Sequence, residues 1–316
     1  MTTPCPSCGA ADARVLFRAT DRLYGLTDRE FAVVECAHCR LMRLDPQPEG
    51  EELARYYPAE YWYGPEGDAA SRFEQAYRRF VLRDHVQFIV RALREASAKG
   101  LVLDVGCGGG LLLGMLRERG YRVLGLDSSR AAAEAARIHH GVEVLCGDLA
   151  TAPIERASCA AVTMFHVIEH LPDARPYLAA ALELLAPEGR LIVQVPNAAS
   201  WQFGLFGERW NGIDVPRHLV DYRQRDLEGV LDHSGFEVVR RKQFSLRDNP
   251  AGFASSVAPA LDPMARRVRK IPEKTGAKLA KDLIYLSLVV AALPFTMLEA
   301  ACGAGSTIML EARKKA

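Results

Sequence analysis

Between residues 101 and 196 the chain alternates short apolar runs with longer segments whose apolar residues recur at helical spacing. The apolar runs predict strands over 101–106, 121–127, 141–148, 159–165 and 189–196. The segments between them predict helices over 110–119, 129–139 and 172–186. Strands that alternate with helices are typical of a parallel sheet with helices on both faces.

The pattern resumes after a loop over 197–224. A helix is predicted over 226–235, and two strands are predicted over 236–245 and 306–314. Residues 247–304 fall between these strands and predict a helical insertion. The predicted fold class is therefore α/β, a doubly wound, Rossmann-like sheet interrupted near its end.

The first 98 residues follow a different pattern. Short strands are predicted over 14–21 and 30–36, and a long amphipathic helix over 70–97. Between them lies a connector with a cluster of aromatic residues: Tyr56, Tyr57, Tyr61, Trp62 and Tyr63. The predicted domains are a small unit (1–45), a linker with its helix (46–98), a core (99–246 and 305–316) and a lid insertion (247–304).

Composition narrows the functional classes. The 316 residues are 49% hydrophobic and 25% charged, as expected of a globular protein of about two domains. A net charge of +1 makes a nucleic-acid partner unfavourable. The first residues show no basic and apolar signal for secretion, which predicts a cytoplasmic protein.

Four cysteines form two Cys-x-x-Cys pairs with 27 residues between them: Cys5 and Cys8, then Cys36 and Cys39. Two such pairs can place four thiolates tetrahedrally around one Zn²⁺. We therefore predict a structural zinc ribbon, closed to catalysis because all four positions are filled. The alternative is four separate structural cysteines.

Glycines and acids mark the ends of the first three core strands. Gly106, Gly108 and Gly110 follow the first strand and permit a tight turn that a ligand can approach closely. Asp127 ends the second strand, where a carboxylate can accept hydrogen bonds from ribose hydroxyls. Asp148 ends the third strand, where an acid can accept from an adenine amino group.

This combination resembles the class I S-adenosylmethionine (SAM)-dependent methyltransferases over roughly residues 100–245 and the last strand. The resemblance implies a seven-stranded sheet whose last strand is antiparallel. It also implies that Asp104 and the glycine loop hold the methionine part of SAM, Asp127 the ribose and Asp148 the adenine. The residues that would contact SAM are Asp104, Gly106, Gly108, Gly110, Asp127, Ser128, Asp148, Leu149, Phe165 and His166.

Three other interpretations remain open. A nicotinamide-dependent oxidoreductase also has a glycine loop, although Leu111 stands where its third glycine or alanine is expected. Residues 166–170 read His-Val-Ile-Glu-His, a match to the H-x-x-E-H signature of zinc metalloproteases. The same segment is similar to a loop of quinone-biosynthesis O-methyltransferases that is associated with a divalent metal, with His166 replacing the first acid. The third alternative is a non-catalytic zinc-ribbon binding module.

The acceptor site is predicted in the loop that follows the fifth core strand. This loop, 210–218, is similar to a stretch found in methyltransferases that carry a zinc ribbon, a group that acts on sugars and other small metabolites. His218 is the first candidate for the base that removes a proton from an acceptor hydroxyl, and His166 is the second. Asp214 would hold His218, and Arg217 would bind an acidic group or pair with Asp221. The expected activity is methyl transfer to a small-molecule acceptor through a hydroxyl, and the candidate acceptors are a sugar, a quinone-like molecule and a lipid-linked one.

Within the insertion, seven basic residues and one acidic residue lie between Arg266 and Lys281. An uncharged run from Leu283 to Leu298 follows, too short at 16 residues to cross a bilayer. The simpler expectation is a buried lid over the acceptor. The alternative is a peripheral membrane contact through 266–298, with the basic residues on anionic lipid.

Overall fold

The computed structural model describes residues 3–58 and 69–315, with side chains from residue 74 in the second range. These described residues form eleven strands and eleven α-helices. The strands are β1 (Ala13–Ala19), β2 (Phe31–Cys36), β3 (Met42–Leu44), β4 (Leu101–Val105), β5 (Arg122–Asp127), β6 (Val144–Cys146), β7 (Cys159–Phe165), β8 (Leu185–Pro196), β9 (Val220–Asp221), β10 (Phe236–Lys242) and β11 (Thr307–Lys314). The helices are α1 (Gly50–Arg55), α2 (Ala69–Val81), α3 (Arg83–Ala96), α4 (Leu111–Arg117), α5 (Arg130–His140), α6 (Arg175–Leu184), α7 (Trp201–Phe206), α8 (Gln224–His233), α9 (Asn249–Val257), α10 (Pro263–Val268) and α11 (Thr275–Ala301).

Seven strands form the main sheet in the order β10-β11-β8-β7-β4-β5-β6. Neighbouring strands from β8 to β6 are parallel, and β11 runs antiparallel to both β8 and β10. Strands β4 and β7 are buried along nearly their whole length, as expected for central strands covered by helices on both faces. The predicted fold class, a seven-stranded Rossmann-like sheet with an antiparallel last strand, is confirmed.

A second, four-stranded sheet has the order β1-β2-β3-β9. Its first three strands come from the N-terminal 45 residues, whereas β9 comes from the loop after β8 and pairs with β3 through Met42 and Asp221. The N-terminal unit is therefore completed by a strand from the main domain. The division of the chain into four domains stays a prediction.

Two predicted elements differ from the observed ones. The helix expected over 70–97 is divided at Leu82 into α2 and α3. The position of α3 is fixed by tertiary contacts that a helical pattern does not reveal. Asp84, near its start, accepts hydrogen bonds from Lys242 and from the backbone of Leu246. The loop expected over 197–224 contains α7 and β9.

The insertion between β10 and β11 is helical, as predicted, and consists of α9, α10 and α11. The expectation of a buried helix is wrong for most of α11, which buries four residues: Val289, Ala292, Thr296 and Glu299. Glu299 ties the end of α11 to the main domain, since its carboxylate accepts hydrogen bonds from the backbone and the side chain of Gln202.

A buried guanidinium joins the two sheets. Arg217 is fully buried and donates hydrogen bonds to Asp21, which follows β1, and to Asp214 in its own loop. Its guanidinium also lies over the ring of Tyr24, 4.4 Å from the centroid. The predicted pairing of Arg217 with Asp221 is wrong. Asp221 belongs to β9, and the guanidinium pairs with Asp21 and Asp214 instead.

We expect Arg217→Met to lower the free energy of unfolding by about 3–5 kcal/mol, because Asp21 and Asp214 would remain buried without their cation. Denaturant unfolding followed by circular dichroism measures this change. The control is Arg91→Met, whose ion pair with Glu95 is exposed on both sides, so that its loss is expected to leave the free energy of unfolding nearly unchanged. Equal losses for both variants would contradict the prediction.

Candidate functional site

A cavity of 1230 Å³ opens where the parallel strands of the main sheet end. This edge is where open α/β sheets bind their ligands. Its walls are the glycine loop after β4, the segment after β7, the loop 210–218 and the insertion. Pockets for one small ligand measure about 300–1,000 Å³, so the cavity has room for two molecules.

The glycine loop leaves its backbone open to the cavity. Gly106 and Gly110 have φ values of +69° and +75°, and a Cβ at either position would lie 2.7 Å from Val167 or Ala136. Gly108 also has a positive φ, but a Cβ there would meet nothing within 4 Å. The first and third glycines are therefore required by packing, and the middle one faces the space a ligand would occupy.

Asp127 fixes the conformation of this loop. Its carboxylate accepts hydrogen bonds from the backbone N–H groups of Gly108 and Ser129, at 2.9 and 2.8 Å. Burial raises the pKa of Asp127, and these two donors oppose that change. Each carboxylate oxygen keeps a lone pair for a second donor, as a diol ligand would need.

Asp104 lies deeper, where burial disfavours its charged form. It is buried at the end of β4, and Thr163 donates to its Oδ1 at 2.6 Å. Burial raises its pKa to about 7, with a contribution from nearby Asp127. Within the described residues no Lys or Arg forms an ion pair with it, so a ligand with an ammonium group would stabilise its charged form.

Asp148 and Leu149 do not line the cavity. Leu149 is buried, and Asp148 accepts a hydrogen bond from the hydroxyl of Tyr177 at 2.6 Å. Gly147, Tyr177 and Ser128 do line the cavity near the same strand ends. The expected contact between Asp148 and an adenine therefore stays a prediction, with Tyr177 as a neighbour that the sequence did not single out.

His166 sits among acids beneath the insertion. It has a φ of +57°, which is rare for a residue other than glycine. Its Nδ1 lies 3.1 Å from Glu169, and its Nε2 lies 3.5 Å from Asp248. Although burial opposes it, these two carboxylates raise the pKa of His166 to about 9. His166 is therefore an imidazolium at neutral pH, which does not suit a general base.

His170 and His218 face each other with ring centroids 4.7 Å apart. The Nδ1 of each lies beside a backbone carbonyl, that of Arg217 at 3.0 Å and that of Gly212 at 2.9 Å. An Nδ1–H donated to a carbonyl leaves Nε2 as a lone-pair acceptor. Burial, together with His218, lowers the pKa of His170 to about 4, so this ring stays neutral.

Glu169 completes a set of three groups with these histidines. One ligand atom from each of Glu169, His170 and His218 lies within 4.8 Å of the others, and the buried Oε2 of Glu169 has no hydrogen-bond partner. A carboxylate and two imidazoles are ligands that suit a divalent transition metal. The trio could therefore hold a metal ion.

Asp214 does not touch His218 through its side chain. Its carboxylate binds Arg217, and only its backbone carbonyl accepts from the N–H of His218. From the aromatic cluster, Tyr57 lines the cavity and its hydroxyl lies 2.9 Å from Nδ1 of His170. Tyr56 packs against Phe31 at a ring distance of 6.1 Å. The other cluster members, Tyr61, Trp62 and Tyr63, lie outside the described residues.

The four predicted cysteine ligands are brought together. Cys5 and Cys39 have their sulfurs 3.5 Å apart, and those of Cys8 and Cys36 are 3.6 Å apart. All four sulfurs lie within 4.8 Å of one another. Four thiolates about 2.3 Å from one Zn²⁺ would be about 3.8 Å apart, so the set fits a tetrahedral ion.

Comparison with known proteins now separates the alternatives. A family model described as a methyltransferase domain matches residues 75–241, just over half of the chain. The chain belongs to this methyltransferase family.

Relatives of the methyltransferase include enzymes named ubiquinone biosynthesis O-methyltransferase. That of Alkalilimnicola ehrlichii is 29% identical over 210 residues, which cover 63% of this chain and 82% of the relative. That of Idiomarina loihiensis is 32% identical over 204 residues, which cover 59% and 79%. A solved SAM-dependent methyltransferase from Archaeoglobus fulgidus is 18% identical, with a TM-score of 0.49 over 78% of this chain and 100% of that one.

The predicted class, a SAM-dependent methyltransferase, is confirmed, and the nicotinamide alternative is not supported. The metalloprotease interpretation required His166 and His170 on one face of a helix. The segment instead forms a short 3₁₀ turn, Ile168–His170, in which His166 contacts Asp248 while His170 contacts His218. Because the methyltransferase separates the two imidazoles, they cannot share a zinc ion as that signature demands.

Sequence reasoning missed three groups at the site of the methyltransferase. His85 is fully buried, lies 2.7 Å from Asp84 and packs edge-on against Phe165. Asp248 and Tyr177 are the other two. His85 and Asp248 come from the N-terminal helices and the insertion, which lie far in sequence from any recognisable motif.

We expect Asp127→Ala to weaken binding of S-adenosylhomocysteine by at least about 100-fold, since the loop loses its anchor and the ribose its acceptor. Calorimetric titration into the purified methyltransferase measures the affinity. Asp148→Ala is expected to change the affinity less than about tenfold because Tyr177 and the loop backbone remain. Asp232→Ala, on a distant exposed carboxylate, is the control. An unchanged affinity for Asp127→Ala would contradict the assignment.

Proposed function

We propose that this methyltransferase transfers the methyl group of SAM to a hydroxyl of a small, largely apolar acceptor. The observation that carries the proposal is the pair His170–His218, whose Nδ1 atoms lie beside carbonyls and whose side chains line the same cavity as the glycine loop. The O-methyltransferase names of the relatives support an oxygen acceptor.

The glycine-loop half of the cavity would bind SAM. Asp104 would take the ammonium of the methionine part, because that cation would balance its buried carboxylate. Asp127 would accept from the two ribose hydroxyls, and Gly108 would let the backbone approach the cofactor. Phe165, which ends β7 and lines the cavity, would pack on the adenosine. SAM supplies an electrophilic methyl group on sulfur.

The base of the reaction would be His218. Nε2 of His218 would take the proton of the acceptor hydroxyl while the acceptor oxygen would receive the methyl group from the sulfur of SAM. The products are the methyl ether and S-adenosylhomocysteine. Asp214 acts as a positioning residue, since its bond to Arg217 shapes the loop that carries His218. His166, already protonated at neutral pH, would contribute positive charge rather than accept the proton.

Other walls of the cavity indicate the kind of acceptor. They include apolar and aromatic side chains from the N-terminal unit, the linker and the loop after β8: Leu23, Tyr24, Leu53, Tyr57 and Trp210. Such walls favour an aromatic or quinone-like acceptor, or one with an apolar tail, over a free sugar.

We expect His218→Ala to lower kcat by about 100-fold or more, because a general base contributes about 10²–10⁴ to such a step. Binding of S-adenosylhomocysteine should be unchanged. The assay measures methyl transfer from SAM to a panel of catechols and quinols. His38→Ala is the control, since His38 lies on the N-terminal unit beside the cysteines.

Two results would redirect the proposal. If the wild type binds the cofactor but methylates no hydroxyl of the panel, the result would favour the alternative of a non-catalytic binding module. If His218→Ala removes a metal ion as well as activity, the trio with Glu169 and His170 holds a divalent ion, which would lower the pKa of the acceptor hydroxyl in place of the base.

We also propose that the four cysteines bind one structural Zn²⁺. Their ion would close the loops on either side of β1 and β2 and so hold the small sheet in shape. We expect one equivalent of zinc per chain by atomic absorption, and its loss in Cys8→Ser with a lower unfolding temperature. Cys302→Ser, which changes an exposed cysteine far along the chain, is the matched control. Full zinc retention in Cys8→Ser would contradict this site.

A further inference from the structure

An apolar stripe on α11 faces solvent. Among the exposed large apolar side chains of the described residues, six lie on this helix: Leu279, Leu283, Ile284, Val290, Met297 and Leu298. Four of them, at 279, 283, 290 and 297, fall on one face at helical spacing. Only 22% of the most apolar part of α11 is buried, although its mean hydropathy of 1.9 is high enough for a membrane helix.

The stripe continues onto a neighbouring helix. Trp201 of α7 packs beside Phe295 at a ring distance of 6.3 Å and is itself 42% exposed. Leu205, one turn further along α7, is also exposed. The helices thus present one apolar patch, which we call the α11 patch. Patches of this kind on a folded protein mark contact with another apolar surface.

The α11 patch offers almost nothing to a protein partner that needs hydrogen bonds. Three hydroxyl side chains occur between 283 and 298, and each has a partner within the chain: Tyr285 with Ser255, Ser287 with the carbonyl of Leu283, and Thr296 with the carbonyl of Leu293. Protein interfaces of standard size contain about ten hydrogen bonds. An apolar helix face can bind a lipid surface without forming hydrogen bonds to it.

The exposed charged side chains that directly precede the patch in the sequence are all positive. Glu273 accepts from Arg266 and Lys281, and Asp282, which follows Lys281, accepts from Arg266, so both acids of this region are paired and neither is fully exposed. The exposed charged side chains that remain between 266 and 281 are all basic: Arg269, Lys270, Lys274 and Lys278. Such a cluster complements the anionic headgroups of a bilayer.

The helix lies on the protein rather than apart from it. Its opposite face is buried, and Glu299 is held by Gln202, so α11 cannot leave the main domain to cross a bilayer without losing these contacts. The geometry points to docking of the methyltransferase on the surface of an anionic bilayer through the α11 patch. Leu279 and Leu283 belong both to the patch and to the cavity wall, so the cavity would open beside the lipid.

The test is cosedimentation of the full chain with vesicles of phosphatidylcholine, alone or mixed with phosphatidylglycerol. We expect binding to the anionic vesicles at low salt, weakening as salt is added. Val290→Glu/Met297→Glu should weaken it at least about tenfold, since charged groups would enter the lipid interface. The matched control is Val15→Glu/Ile138→Glu, two equally exposed positions on other elements, which should bind as the wild type does.

Lys274→Glu/Lys278→Glu should reduce binding to anionic vesicles and leave the weak binding to phosphatidylcholine unchanged. The proposal is overturned if the wild type stays in the supernatant at low salt, or if the patch variant binds as well as the control. It is also overturned if light scattering shows a dimer that the patch variant loses, because the patch would then join two copies of the chain. Titration with S-adenosylhomocysteine on the same samples shows whether the cofactor site is intact, so a failure of docking is separate from a failure of the proposed activity.

Discussion

The pairing of Arg217 with Asp21 and Asp214 is the interaction on which the acceptor side of the site depends. A guanidinium with no exposed surface requires both carboxylates, because a buried charge without partners is strongly unfavourable. The requirement brings the turn after β1 against the loop after β8. That contact gives the cavity its wall from the N-terminal unit, and it sets the backbone carbonyls that hold His170 and His218.

The burial of Arg217 with both carboxylates also explains why the N-terminal unit is an integral part of the structure. Its sheet takes β9 from the main domain, and Glu35 of β2 pairs with Arg223 at the start of α8. A zinc ion at the cysteines would therefore act at a distance from the chemistry, by keeping Asp21 and Tyr57 where the loop needs them. The unit supplies a wall, while the glycine loop and its acids remain entirely in the main domain.

The fold of the core could be predicted from the sequence because its signals are local. The strand Cys159–Phe165 is a continuous apolar run, and the glycines at 106 and 110 are required by steric contacts close by. The partners of Arg217 could not be predicted, since Asp21 is 196 residues away and no pattern links the two. The same holds for His85 and Asp248. The roles of His166 and Asp214 also depend on their neighbours. Residue type predicts catalysis for both, but it does not reveal the carboxylates beside His166 or the bond from Asp214 to Arg217.

The lid is anchored at both ends, and this determines how molecules can reach the cavity. At its start Asp248 lies between His166 and His85, whose Nε2 atoms are 3.5 and 3.6 Å from its carboxylate. At its end Glu299 is bound to Gln202 beneath α7. Opening the insertion as a rigid flap would separate the groups in one of these two sets. Buried polar groups that lose their partners are energetically unfavourable. The first turns of α11, by contrast, are exposed on every side. Access is therefore expected beside the first turn of α11, next to Leu279 and Lys278, before the helix is held by the pairing of Asp282 with Arg266 of α10.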